Sequence, residues 1–551
     1  MSDREIPARP NIEQYKKQAK DLVRDCGLGV ADAVGRVRRH HPRFHNLPVA
    51  DFRGAEVSLT DAQLVIAREH GFESWPKFAK HIETVNLIHS VASLPDPVGA
   101  FLEEACAPRH SGHGSGTLER AEMILERYPQ VAASDIYTAA VLADEATVRG
   151  FLARDPKTAN AKGGRYEWDA LTYLCFSRYL RIDSARSEAF VLTARRLLDA
   201  GASAKTGWYE MIDHPHPRPA FESAIYGAAG VAQHAGLTQL LLERGADPND
   251  EETPYHVPET RDNTVLKILL ESGTLNEKSL NTILLRKADW HDEVGMQLAL
   301  EFGANPNQAT RWGFTALHQS LRRDNGLEMI ELLVDHGANF AIETRNRESG
   351  FAIASLRGRG DVLELLERRG IALDLRGVVR LIAACAKGDH DAIKVIRMQE
   401  PRLVDELLAQ GGTLLAEFAG NANVDGLRCL LDLGVSVDAL YREGDGYFDI
   451  ARDSTALQVA AWRGWPSAVK ALIEAGATVN AVDGKGRTAL MQAVKACVDS
   501  YWMYRRSPDS VDALLRAGAM VRGVEIPTGY DEIDELLRRY GGEAAVDQLI
   551  G

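Results

Sequence analysis

Three stretches of this 551-residue chain carry residue types whose spacing could do chemistry. Asp213-His214-Pro215-His216-Pro217 sets two imidazoles two positions apart on a proline-stiffened segment, a spacing that could chelate a metal. No third ligand stands at a recognisable distance, so no metal is expected. His110-Ser111-Gly112-His113-Gly114-Ser115-Gly116 invites comparison with a phosphate loop. It lacks a preceding strand and a following Lys-Ser or Lys-Thr, and reads as a flexible connector. Asp483-Gly484-Lys485-Gly486-Arg487-Thr488 imitates the end of such a loop but belongs to a repeated phrase described below. The sequence holds no nucleophile-elbow pentapeptide, H-E-x-x-H or kinase signature set. Carboxylate pairs such as those in Glu364-Leu365-Leu366-Glu367-Arg368 are what a solvated helix face requires. No catalytic residue and no cofactor are expected.

Recognition chemistry is richer. Aromatic rings and arginines dominate binding hot spots. Arg311 and Trp312 stand four and three positions before Thr315, and Arg345 stands four before Ser349. Tyr447 and Phe448 fall in an enlarged segment, 443–448, with Trp462 beyond it. Tyr501, Trp502 and Tyr504 crowd another, 499–506. These nine residues are the expected partner-binding set. The competing expectation for the same rings is packing, as fillers of gaps in an irregular stack.

What must position them is a repeating unit, clearest over 310–340. Gly313 supplies the positive φ of a tight turn. Thr315 caps a short helix, Asp324-Asn325 turns into a second one, and Leu327, Ile330, Leu333 and Val334 fall on one face of it. Gly337 ends that helix. So small a pair cannot bury its apolar face alone and needs copies on either side. The copies recur as Gly245-Ala246-Asp247-Pro248-Asn249, Gly303-Ala304-Asn305-Pro306-Asn307, Gly337-Ala338-Asn339 and Gly476-Ala477-Thr478-Val479-Asn480. The capped-helix phrase recurs as Thr315-Ala316-Leu317-His318, Thr455-Ala456-Leu457-Gln458 and Thr488-Ala489-Leu490-Met491. Gly303 and Gly337 stand 34 positions apart, and Gly337 and Gly370 stand 33 apart. Elsewhere the spacing is broken. Gly434 to Thr455 is 21 positions where Gly303 to Thr315 is 12, so the excess precedes that unit's first helix. In the next unit the excess lies between the helices, at 499–506. Earlier excesses fall at 175–187 and 208–219.

At these phrases the chain resembles the ankyrin-repeat family, whose fingerprint runs T-P-L-H-x-A and later G-A-D-V-N. Thr315, Leu317 and His318 match, while Ala316 departs from the family proline. The resemblance implies an all-α repeat solenoid of stacked ankyrin-type helix pairs with short finger hairpins, over 95–540. It makes His318 a local hydrogen-bonding residue that supports the finger, and assigns His291 the same kind of structural role. It implies a non-enzymatic scaffold that binds a still unidentified partner protein through a concave groove and its fingers. Two other readings stand beside it: an enzyme or small-molecule receptor with a pocket built by the inserted loops, and a DNA-associated regulator.

The regulator reading rests on a small N-terminal helical unit, 1–94, ended by Pro95-Asp96-Pro97. Its first helix carries Ile12, Tyr15, Ala19 and Leu22 on one side and lysines on the other. The basic run from Arg36 to Arg43 reads as solvated surface. Residues 58–87 resemble the helix-turn-helix of bacterial regulators. The second helix begins Glu73-Ser74-Trp75-Pro76, which offers little to base edges, and only Lys77, Lys80 and His81 could touch phosphates. The hairpin is therefore expected to be a cap, with Trp75 and Phe78 buried. Residues 541–551 read as a tail. The net charge of −14 favours no polyanionic partner. The six cysteines lie far apart and read as buried thiols of a reducing compartment. The polar N-terminus and the absence of a long apolar run predict a cytoplasmic protein away from membranes.

Overall fold

The computed structural model describes residues 4–45 except 8, 57–212 except 109 and 111, 217–524, and 526–547. The chain divides into two compact units, Met1–His256 and Val257–Gly551. Both are built chiefly of helices.

The unit Val257–Gly551 repeats one device. A Thr or Ser caps a short first helix: Thr315 for Ala316–Arg322, Ser349 for Gly350–Leu356, Thr455 for Ala456–Trp462 and Thr488 for Ala489–Val498. Each cap side chain accepts from an amide three residues on, which satisfies a donor the helix itself leaves open. A turn leads to an amphipathic second helix such as Leu327–Asp335, which buries Met329, Ile330 and Leu333. Leu327 and Val334, expected on the same face, are half-buried. Gly337 then closes it at φ +81°, where a side chain would be strained. First helices lie side by side through the stack, Glu277–Asp289 against Ala316–Arg322 and Gly411–Gly420 against Ala456–Trp462 and so to Ala489–Val498.

Repeats are also clasped at their closing phrase. Asn307 Nδ2 donates to Gly337 O at 2.8 Å, and its Oδ1 accepts from Asn339 N at 2.7 Å. Asn480 does the same for Gly518 and Met520. His318 is buried and behaves as expected: Nδ1 accepts from Thr315 N at 3.2 Å, and Nε2 meets Ile342 O of the next finger at 2.9 Å. Gln458 takes the same place, bonding Thr455 N and Ala481 O. The last helix, Asp531–Asp547, takes in the first seven residues of the expected tail and buries Ile533 and Leu537.

In the unit Met1–His256, four helices (Ile12–Gly27, Ala31–His40, Leu59–Glu69 and Trp75–Val91) enclose a core of their own. Tyr15, Ala19, Leu22 and Phe78 are buried in it, and Trp75 packs partly buried against it. Part of the basic run is tied down rather than solvated: Arg36 forms a bidentate pair with the buried Glu69, at 2.7 and 2.9 Å. Helix pairs follow, Pro97–Ala105 with Glu119–Arg127 and Ile136–Val141 with Glu145–Arg154. The 208–219 insertion is an antiparallel hairpin, Gly207–Ile212 with Arg218–Ser223. Its tip, with the candidate ligands His214 and His216, lies outside the described residues.

The expectation of a flexible connector at 110–116 does not hold. His113 is buried, with Nδ1 2.8 Å from Tyr226 Oη and Nε2 3.0 Å from Glu210 of the inserted hairpin. Arg178 and Arg181 donate to the carbonyls of Ser115 and Gly116. Glycine permits the tight path, and these side chains fix it.

Among the described residues, no helix is long and apolar enough to cross a membrane, and all six cysteines are buried and unbridged.

Candidate functional site

The enlarged finger of the second unit decides where most of the candidate rings go. Leu440–Tyr441 pairs antiparallel with Ser454–Thr455. Beyond that ladder, Asp445 and Ile450 exchange backbone bonds of 3.0 and 2.9 Å, and the Asp445 carboxylate accepts from Tyr447 N at 2.9 Å. The loop so closed carries Tyr447 and Phe448 to the C-terminal ends of the first helices, the end opposite the fingers. The 499–506 loop lies at that same end. The two insertions therefore meet: Phe448 packs on Trp502 at 6.0 Å between ring centres, and Trp502 on Trp462 at 5.4 Å.

Their meeting buries them. Phe448, Trp462 and Trp502 are only 2%, 5% and 8% exposed, in a cluster with Tyr441, Ile450 and Val459. Trp462 Nε1 donates to Phe448 O, and Trp502 Nε1 to Trp462 O. Both indoles thus satisfy their polar edge inside the fold, as buried tryptophans must. These three residues are packing, not exposed anchors, and in that respect the expectation of a solvent-facing set is corrected.

The others face outward to different degrees. Tyr447 is 39% exposed, donates from Oη to Asp289 O at 2.7 Å, and has the Arg323 guanidinium 3.6 Å from its ring centre. Tyr501 and Tyr504 are 55% and 75% exposed. Arg311, half-buried Trp312 and Arg345 form a second group on the edge of two successive fingers. Arg311 stacks on Trp312 at 4.6 Å, and Arg345 donates to Arg311 O at 2.8 Å. The Arg345 side chain lies over Gly313, where an added Cβ would sit 2.7 Å from its Nε.

Beneath the finger lies a charged network that the sequence reading did not single out. Asp324 accepts from Arg357 Nε and Nη2 at 2.6 and 2.7 Å and from Arg463 Nη1 at 2.9 Å. Arg357 also meets Glu417 at 3.1 Å, and Glu417 accepts from Tyr441 Oη at 3.0 Å. Burial alone would raise the Asp324 carboxyl, but Arg357 and Arg463 outweigh it and hold it well below the usual carboxylate range. For Glu417 burial wins over Arg357 and the carboxyl is raised. Arg323, Arg357 and Arg463 each follow the last residue of a first helix, where a cation meets the negative end of the helix dipole. A usable signal was present in the repeat alignment. Asp324 holds φ +51° in the helix–helix turn, at the place filled by Gly358, Gly388 and Gly464 in other copies.

Beside this network is a cavity of about 410 Å³, lined among others by Arg261, His291, Asn325, Arg463, Tyr504 and Arg505. His291 also has positive φ, +49°, and its Nδ1 lies 3.0 Å from Asn325 Nδ2. Burial first, then Arg463, pushes its imidazole down to about 4, so the ring is neutral at pH 7. Among the described residues no group of three His, Cys, Asp or Glu side chains is arranged to hold a metal.

In the first unit a separate titratable cluster surrounds His113. Glu222 is 2% exposed, and burial followed by repulsion from Glu252, Glu210 and Asp250 pushes its carboxyl up to about 8.

Known proteins share part of this sequence pattern. The ankyrin-repeat profile matches residues 312–346 and 452–484, which contain the Thr315 and Thr455 first helices and the second helices after them. Rabankyrin-5 of the mouse is 28% identical over 260 residues, 46% of this chain but only 19% of that protein's length. The human ASB11 ankyrin repeat domain, a solved structure, is 20% identical and is aligned over 48% of this chain and 98% of its own. The TM-score of that superposition is 0.22. Within those two segments the chain carries ankyrin repeats. Its fold is an all-α repeat solenoid of stacked helix pairs.

Proposed function

We propose that the chain is a non-enzymatic scaffold that binds a protein partner, using the residues its irregular repeats leave at the surface. The observation that carries this reading is the split fate of the inserted aromatics. Phe448, Trp462 and Trp502 build a rigid floor, and Tyr447, Tyr501 and Tyr504 remain accessible around it. Rigid rings at a surface lose little entropy on binding, which is why such residues anchor interfaces. Arg311, Trp312 and Arg345 offer a second edge. The test is quantitative affinity for partners captured by the intact protein, with folding checked by circular dichroism. Trp312→Ala and Tyr504→Ala should each weaken the same partner by about 2 kcal/mol if they are anchors. Unchanged affinity in both removes the proposed surface while leaving the fold intact.

A DNA-reading role for the N-terminal hairpin has less support. Its two candidate lysines are engaged by carboxylates, Lys77 by Glu73 and Lys80 by Glu119. A small-molecule receptor is the second reading, favoured by one observation: the polar cavity beside Asp324 is walled by the inserted loop 501–505.

A further inference from the structure

The cavity beside Asp324 is lined by four arginines and four carboxylates, yet not every arginine there is paired. Most arginines of this region have a carboxylate: Arg357 has Asp324 and Glu417, Arg359 has Asp361, and Arg323 has Asp289. Arg505 has none within ion-pair distance among the described residues. Its guanidinium instead lies 3.9 Å from the Trp465 ring centre and 5.7 Å from that of Trp502. An arginine stacked on an indole keeps its planar donor edge open to a planar oxyanion. The buried Nε of Arg505 and of Arg463 each lack an acceptor. Arg261, exposed on the same wall, likewise has no carboxylate partner among the described residues. The three arginines line the same cavity, and Arg463 and Arg505 lie 4.8 and 5.7 Å from the one Trp502 ring centre. Burial, with repulsion from Arg463, also lowers the Arg505 guanidinium to about 10. Their repulsion is a cost that a bound anion would relieve.

We propose that this cavity is a receptor for a single carboxylate, bound edge-on by Arg505 with Arg261 and Arg463 beside it. Neutral His291 adds a donor. Asn325 Nδ2 already faces its Nδ1 and also donates to Ala288 O, which leaves the imidazole proton on Nε2. Asn325 Oδ1, buried and without a donor, is available to an amide N–H that travels with the carboxylate. Tyr501 and Tyr504 stand at the mouth. Two further lining carboxylates, Glu293 and Glu328, are exposed in the first turns of their helices. They, with the overall charge of −14, disfavour a dianionic phosphate or a polyanion and suit a single negative charge. The carboxylate can come from an acidic side chain of a partner protein, which rests on the scaffold reading, or from a free small carboxylic acid.

Calorimetric titration of the full chain separates these sources. The probes are a blocked acidic tripeptide (N-acetyl-Gly-Glu-Gly-amide), its Gln counterpart, and the monocarboxylate butyrate. The expected result is binding of the Glu peptide but not the Gln peptide, weakened about 10- to 100-fold by Arg505→Gln and partly retained in Arg505→Lys. Glu293→Gln should tighten it. Arg369→Gln, which removes an exposed pair with Asp335, should change nothing. Binding of butyrate alone, lost in Arg505→Gln, keeps the carboxylate site and overturns its use by a protein partner. No binding of any carboxylate at millimolar concentration overturns the site. So does binding indifferent to Arg505→Gln in a variant whose circular dichroism is unchanged.

Discussion

Neutralising Asp324 should unlock the second unit more than any surface charge change. The substitution Asp324→Asn keeps the shape and tolerates the left-handed backbone at φ +51°, so the effect isolates the charge. The carboxylate accepts three charge-assisted bonds, two from Arg357 and one from Arg463, and its side chain is 1% exposed. Removing one member of a buried ion pair costs about 3–5 kcal/mol, because the remaining charge stays buried. Arg357 keeps Glu417 at 3.1 Å, which places the expected loss near the lower end, about 3 kcal/mol. The pH dependence follows from the depressed carboxyl. Asp324 stabilises the fold fully above its unfolded value of 3.8, and that stabilisation is lost as pH falls towards the lower folded value. The Asn variant should therefore lose less stability on acidification than the parent. Urea unfolding followed by the fluorescence of Trp462 and Trp502, which sit on the network, measures both effects. Asp335→Ala, which breaks an exposed pair with Arg369, serves as reference and should cost no more than about 1 kcal/mol. An Asp324→Asn loss below about 1 kcal/mol, or no larger than that of Asp335→Ala, would refute the view that this network is a structural lock.

His318→Gln should be tolerated in thermal denaturation, because Gln458 already makes the corresponding bonds, whereas His318→Ala should cost about 1–2 kcal/mol. Ala422 holds φ +55° in a helix–helix turn, so Ala422→Gly should stabilise by about 0.5–1 kcal/mol in urea titration. Glu222 has a carboxyl raised in the fold from 4.5 to about 8. Its neutral form stabilises fully below pH 4.5, and this is lost as pH rises through 8, so the melting temperature of Glu222→Gln should gain on the parent over that interval. A constant difference between the two across the interval would count against a protonated Glu222.

The sequence by itself determined the repeat. Thr315, Thr455 and Thr488 as caps, Gly337 and Gly476 as helix ends, and Asn307 and Asn480 as clasps all act on neighbours close in the chain or one repeat away. Such local demands leave a spacing that can be read. It also placed the excess residues correctly, 443–448 before a first helix and 499–506 after one. What it could not determine was that two insertions at opposite ends of a helix pair would meet. That depended on the finger closing through Asp445 and Ile450 and folding back along the helices. Tertiary structure alone then decided that Phe448, Trp462 and Trp502 are floor and Tyr501 and Tyr504 are surface. The same holds for Asp324, Arg357 and Arg463, which are ordinary charged residues in the sequence. Asp324 and Arg463 lie 139 positions apart, and no periodicity encodes a pairing at that distance. Burial beneath the folded-back finger makes them a network, because desolvation turns a charge that water would tolerate into one that must find its partner.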